Sequence, residues 1–155
     1  MKSLFLFFFS ITFISIIAKG QAIQPTPFIN PSGYYSLDNK TTVQNGETYG
    51  YFGTIKVKQV DSNRIFMEFY ICKGAPNYNS GSFADTLLYK NGIAIYTTTD
   101  DASCVITFNF NTTGGITVEE KTKDFNHGCS FGSAVVANGF YKRVVGETQT
   151  QKIDK

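Results

Sequence analysis

Asn91-Gly92 stands between two apolar runs, Leu87-Leu88-Tyr89 and Ile93-Ala94-Ile95-Tyr96. Both residues tolerate φ > 0, which a type I′ turn requires at its two central positions, and the twist of that turn matches the strands it joins. The pair predicts a β-hairpin. From Cys104 onward Ile106, Phe108 and Phe110 are apolar while Thr107 and Asn109 between them are polar. A period of two is the mark of a strand with one buried face. Ser82 to Phe110 therefore reads as a hairpin, a short polar connection and a third strand.

The rest of the chain continues this pattern. Ile23 to Pro31 holds three of the four prolines and reads, within residues 21–32, as an extended lead-in. Gly33 to Leu37 is a first strand and Asp38 to Gly46 a polar loop. Tyr49 to Val60 follows, with Tyr51, Gly53, Ile55 and Val57 on one parity and Lys56 and Lys58 on a solvated one. Arg64 to Cys72 is apolar at almost every position except Glu68, which predicts a strand covered on both faces or placed at a barrel's crowded centre. Asn111 to Gly115 is a turn, Ile116 to Glu119 restarts the alternation, and Ala134 to Ala137 with Gly139 to Arg143 close the domain. Gly139-Phe140-Tyr141 echoes Gly33-Tyr34-Tyr35, as suits first and last strands that pair to close a barrel. Nowhere does an apolar stripe of helical period persist for three turns. The expected fold is all-β, a single small antiparallel β-barrel over residues 33–145, with a β-sandwich as the alternative. Residues 146–155 hold almost nothing apolar and are expected to be a disordered tail.

Lys2, the apolar-rich run Leu4 to Ile17, and Ala18 and Gly20 before Gln21 fit a secretory signal peptide spanning residues 1–20. The run falls short of the ~20 apolar residues a membrane span needs, and no Cys follows it to carry a lipid. The expected location is secreted or periplasmic. Of the 14 Lys and Arg, Lys2 and Lys19 leave with that segment, so 12 basic side chains face 12 acidic ones in the mature chain. Nucleic acids and anionic membranes are bound through a cationic footprint, so neither is an expected partner. The roughly 135 residues left suffice for one domain. All nine Tyr lie in them, which points to rings buried at one end with the hydroxyl at the rim.

Cys72, Cys104 and Cys129 allow three single pairings, and export makes a bridge possible. Cys104–Cys129 is favoured, because Cys104 opens an inward-facing parity and Cys129 follows a Gly in a segment that must return to the same sheet. Cys72 is then a free, half-buried thiol.

Reactive constellations do not assemble. Acyl transfer needs a base oriented by a third group, and His127, the only histidine, sits in a polar Asn-His-Gly loop that reads as surface. Glycoside hydrolysis needs two carboxylates across a cleft, and no spacing converges Glu68, Asp85, Asp100, Asp101, Glu119 and Glu120. Asp100-Asp101 reads as a turn rather than a calcium site. One His with bridged cysteines leaves too few ligands for zinc, and Gly114-Gly115 is a hairpin turn with no phosphate-binding helix after it. No catalytic residue, metal or cofactor is expected.

Binding remains. Lys73 to Gly81 (KGAPNYNSG) reads as an exposed loop, and Asn77, Tyr78, Asn79 and Ser80 with Asp85 offer an aromatic ring beside amide, hydroxyl and carboxylate groups. Such a mixture suits a glycan or an extracellular protein. The function expected is an exported, non-catalytic binding module. Alternatives are an inhibitor of an extracellular hydrolase such as lysozyme, with this loop as the plug, and a small cleft enzyme.

The order Gly-aromatic-Tyr, Asn-Gly-x-Ala-x-Tyr (Asn91 to Tyr96), Cys-x-Ile-x-Phe-x-Phe (Cys104 to Phe110) and Cys-x-Phe-Gly-x-x-Val-x-Ala-x-Gly-x-Tyr (Cys129 to Tyr141) resembles small exported bacterial β-domains of unassigned function. Some of these are similar to modules found beside lysozyme-inhibitor-like domains. The resemblance implies a β-barrel and a Cys104–Cys129 bridge, and it implies no catalytic residues. In that pattern Gly usually follows the second Cys, where this chain has Ser130.

Overall fold

The computed structural model describes residues 29–99, 103–123 and 128–144. The signal peptide and tail expectations, the lead-in before residue 29, and Asp100, Asp101 and His127 lie outside these residues.

Among the described residues nine strands follow one another: β1 (Gly33–Leu37), β2 (Thr42–Gln44), β3 (Glu47–Gln59), β4 (Arg64–Gly74), β5 (Ser80–Lys90), β6 (Ile93–Thr97), β7 (Val105–Phe110), β8 (Gly115–Lys121) and β9 (Gly139–Arg143). From β3 to β9 each strand pairs with the next, and β1 pairs with β9 on one side and β3 on the other. Eight antiparallel strands thus close into a barrel, with β2 added outside along β3. Closure pairs most of the wall's strand edges, which is how an all-β chain of this size limits unpaired backbone.

The elements form where local chemistry directs them. Asn91 and Gly92 take φ of 54° and 78°, the two positive values of the predicted turn, and Lys90 pairs with Ile93 across it. The two Gly-aromatic-Tyr strands, β1 and β9, are neighbours, with Leu37 opposite Tyr141. Tyr35 and Tyr141 both point inward and are buried. Inside the wall, Ile55, Ile65, Met67, Phe69, Ile106, Phe108, Ile116 and Val118 complete one continuous core.

Both mouths of the barrel are plugged. At one end the lead-in crosses the opening: Tyr35 Oη donates to the Pro31 carbonyl (2.8 Å), Tyr89 Oη to that of Ile29 (2.9 Å), and Arg143 Nη2 to that of Asn30 (2.7 Å). At the other, the β8–β9 connection folds inward and is pinned to the start of β7 by the Cys104–Cys129 disulfide. Phe131 from this connection stacks on Phe69, ring centroids 6.0 Å apart, and Val135 and Ala137 are buried beside it. Gly81 makes room for it, since a Cβ there would lie 2.2 Å from the Phe131 ring. Ser130 has φ of 56°, the left-handed region that favours Gly.

Four sequence expectations change. The Arg64–Cys72 run is not covered on both faces: Ile65, Met67, Phe69 and Ile71 point inward, while Glu68 and Tyr70 on the other parity are exposed, because the outside of a lone barrel wall meets solvent. Cys72 is free but fully buried rather than half-buried, and its Sγ accepts from the Gly74 N–H (3.4 Å). Ala134 to Ala137 form no strand, and the Asp38–Gly46 loop contains the short β2.

One seam of the barrel is unlike the others. β5 has 11 residues, yet its ladder with β6 stops after Lys90↔Ile93 and Tyr89↔Ala94. Beyond that point no ladder joins the two strands among the described residues, which leaves a fork bridged by Phe83 and Tyr96, whose rings stack with centroids 3.7 Å apart.

Candidate functional site

The predicted site divides. β4 runs on to Gly74 and β5 begins at Ser80, so the expected nine-residue loop is a turn over residues 75–79. Asn77, Tyr78, Asn79 and Ser80 do lie together, but two of them are occupied. Tyr78 Oη accepts from the Thr48 N–H (2.9 Å), and Asn79 Nδ2 donates to the Ser133 carbonyl (2.9 Å). These bonds tie the turn to β3 and to the β8–β9 connection, so both side chains hold the barrel rim together. Asp85 is elsewhere, roughly 17 Å along β5 from Ser80. Its Oδ1 accepts from the Thr86 N–H (2.6 Å).

Aromatic and branched side chains from the described strands pack the interior into one core. Tyr141 is fully buried, its hydroxyl has no hydrogen-bond partner among the described residues, and burial pushes its phenol far above the usual tyrosine range. Near the plugged mouth, Glu120 is half-buried on the inward parity of β8. Desolvation raises its carboxyl above the ordinary range, partly offset by the Ala137 N–H, which donates to Oε2 (2.6 Å). Tyr51, whose Oη donates to the Ala134 carbonyl (2.7 Å), feels that carboxylate too, although burial is the larger cause of its raised value. Both groups act as latches on the β8–β9 connection. Among the described residues no three His, Cys, Asp or Glu side chains converge as a metal site would require, and no helix is long and apolar enough to cross a membrane.

Concave surface lies on the outside of the wall. One groove of about 560 Å³ runs over β3 and β4, lined by Lys56, Lys58, Val60, Phe66, Glu68 and Thr86. A second, of about 340 Å³, sits in the fork and is lined by Thr86, Leu87, Leu88, Lys90, Ile93 and Ile95. Thr86 is common to both, so the grooves adjoin. Lys56 is paired with Glu68 (3.3 Å), whereas Lys58 has no carboxylate partner among the described residues. Leu88 is 76% exposed and Ile95 53%, on either side of the fork. Aliphatic side chains so exposed and adjacent, rimmed by lysines, form an uncovered apolar patch.

No family model matches the chain, and no curated protein or solved structure is similar to it at a significant level.

Sequence reasoning passed over the groove residues, although one signal was present. Leu88, Ile93 and Ile95 fall on the parity opposite to Leu87, Tyr89 and Ala94, so the hairpin is apolar on both faces. In a barrel only one face can enter the core, and the excess had to appear outside.

Proposed function

We propose that this chain is an exported, non-catalytic binding module that takes a protein partner on the outer surface of β3 to β6. The observation that carries the reading is the pairing of a filled interior with an exposed aliphatic groove at Leu88, Ile93 and Ile95. A barrel whose described interior is packed with its own side chains points to the outside for recognition, and uncovered aliphatic side chains favour a protein over a glycan, which stacks on aromatic rings and bonds to polar groups. The disulfide suits an oxidising compartment, which supports secretion or the periplasm.

The test compares the mature chain with Leu88→Glu and with Tyr78→Ala in three assays: affinity capture from the producing cell's secreted proteins, pull-down on insoluble polysaccharide, and inhibition of lysozyme on cell walls. Retention of a defined protein, lost in Leu88→Glu and kept in Tyr78→Ala, is the expected result. Polysaccharide binding, or lysozyme inhibition abolished by Tyr78→Ala, would move the site to the residue 75–79 turn and overturn the reading.

A further inference from the structure

We infer that the fork between β5 and β6 accepts an extended peptide of the partner protein as an added antiparallel strand on the open edge of β5. The inference rests on the outer-surface reading above and names the form the partner takes there.

Alternation of main-chain direction defines the edge. Tyr89 N–H donates to the Asn63 carbonyl on the β4 side, and Lys90 pairs with Ile93 on the β6 side. The even-numbered residues of β5 therefore turn their N–H and C=O groups toward β6. Ser80 obeys the rule, since its carbonyl accepts from Gly132 N–H (2.9 Å). Between these two ends, Ser82, Ala84 and Thr86 have no strand beside them among the described residues, and all three are exposed. Among the described residues one partner is seen for their six main-chain groups: the Asp85 carboxylate caps Thr86 N–H (2.6 Å). A side chain folded over an edge in this way guards it against unwanted pairing.

The occupant's chemistry follows from what surrounds the gap. Alternating donors and acceptors in line are matched only by another extended backbone, so a sugar or small molecule would leave them unpaired. Leu88 and Ile95 flank the fork and ask for an apolar side chain on the peptide. The Lys90 ammonium lines the same groove without a carboxylate partner among the described residues, and asks for an acidic one. An extended acidic-apolar segment satisfies all three. A second copy of the barrel fits less well, because its own β5 edge is bounded by β6 and would have to enter the fork together with that strand.

The probe is a soluble peptide of about nine residues that alternates valine with glutamate and threonine, titrated into the mature chain and followed by fluorescence anisotropy and amide NMR. The expected result is saturable binding that shifts and protects the amides of Ser82 and Ala84. A peptide N-methylated on one edge should bind about tenfold more weakly or worse. Ala84→Pro removes an N–H that faces the gap and leaves the β4 ladder intact, so it should abolish binding in a folded barrel. Asp85→Ala should strengthen binding by uncapping Thr86. Equal affinity for the N-methylated peptide, or unchanged Ser82 and Ala84 amides, would overturn the inference even if Ala84→Pro fails to fold. Dimerisation through this edge in sedimentation would assign it to a second copy, and tighter peptide binding by a chain starting at residue 29 would assign it to residues 21–28. Either outcome would also overturn it. If Leu88→Glu still abolishes partner capture while these tests fail, the outer-surface reading stands and only strand addition falls.

Discussion

Phe83 and Tyr96 lie face to face, their ring planes 3° from parallel, across the seam where β5 and β6 cease to exchange hydrogen bonds. The stack takes the place of a ladder at the weakest join of the barrel. Phe83 also lies against Phe69 and Phe108, with centroids 5.4 and 6.0 Å away, which ties the seam to the core.

Phe83→Ala should cost about 2 to 3 kcal/mol, at the lower side for an aromatic truncation because the ring is only partly buried. Amide exchange should speed up in β6 before it does in β3 or β4. Urea unfolding and hydrogen exchange measure both, and an unchanged midpoint would remove the seam from the barrel's weak points.

Reducing Cys104–Cys129, or replacing both with Ser, should destabilise the chain by about 3 kcal/mol, the chain-entropy value for a sequence separation of 25. Cys72 is buried and should resist thiol reagents until the barrel opens. Thiol titration with and without urea checks both; fast labelling of Cys72 in the native chain would contradict its burial.

Tyr141→Phe should leave stability unchanged or raise it by about 1 kcal/mol. The hydroxyl it removes is buried without a partner and brings only a desolvation cost. Thermal unfolding decides, and a clear loss of stability would mean that the hydroxyl bonds to something inside the barrel.

Glu120 makes stability depend on pH with a definite sign. Its folded-state carboxyl is raised, so the native chain holds the proton more tightly than the unfolded chain does. Its contribution is therefore fully present below the ordinary glutamate range and declines as pH rises through the raised folded value. Glu120→Gln keeps an acceptor for Ala137 N–H and should flatten that part of the profile. Urea midpoints from about pH 4 to about pH 7 test this; an identical slope in the variant would assign the effect to other groups.

Ser130→Gly should stabilise by about 0.5 to 1 kcal/mol, since Ser130 occupies a left-handed conformation at φ 56° that Gly adopts freely. An unchanged melting temperature would show that the flexible glycine loses as much in the unfolded chain as it gains in the turn.

Local pattern was enough to specify most of the strands and the hairpin turn. The period-two alternation from Cys104 to Phe110, the Asn91-Gly92 pair and the absence of any helical stripe each depend on neighbours in sequence, and an all-β barrel follows from them. Parity also placed Cys104 facing inward, where Cys129 could reach it. Compositional reasoning about residues 73–81 went less far: it grouped polar side chains by proximity in sequence, and could not show that Tyr78 and Asn79 are engaged with Thr48 and Ser133, residues 30 and 54 positions away. Nor could it show that Asp85 guards a strand edge.

What the chain's residues determined unaided is which stretches are extended and which side of each is apolar, because those preferences are set within a few residues of backbone. Tertiary structure alone decided where β5 and β6 part, and so which aliphatic side chains stay in water. Closing eight twisted strands around a full set of aromatic side chains fixes the wall's curvature, and the register left over at one seam is a property of the whole ring.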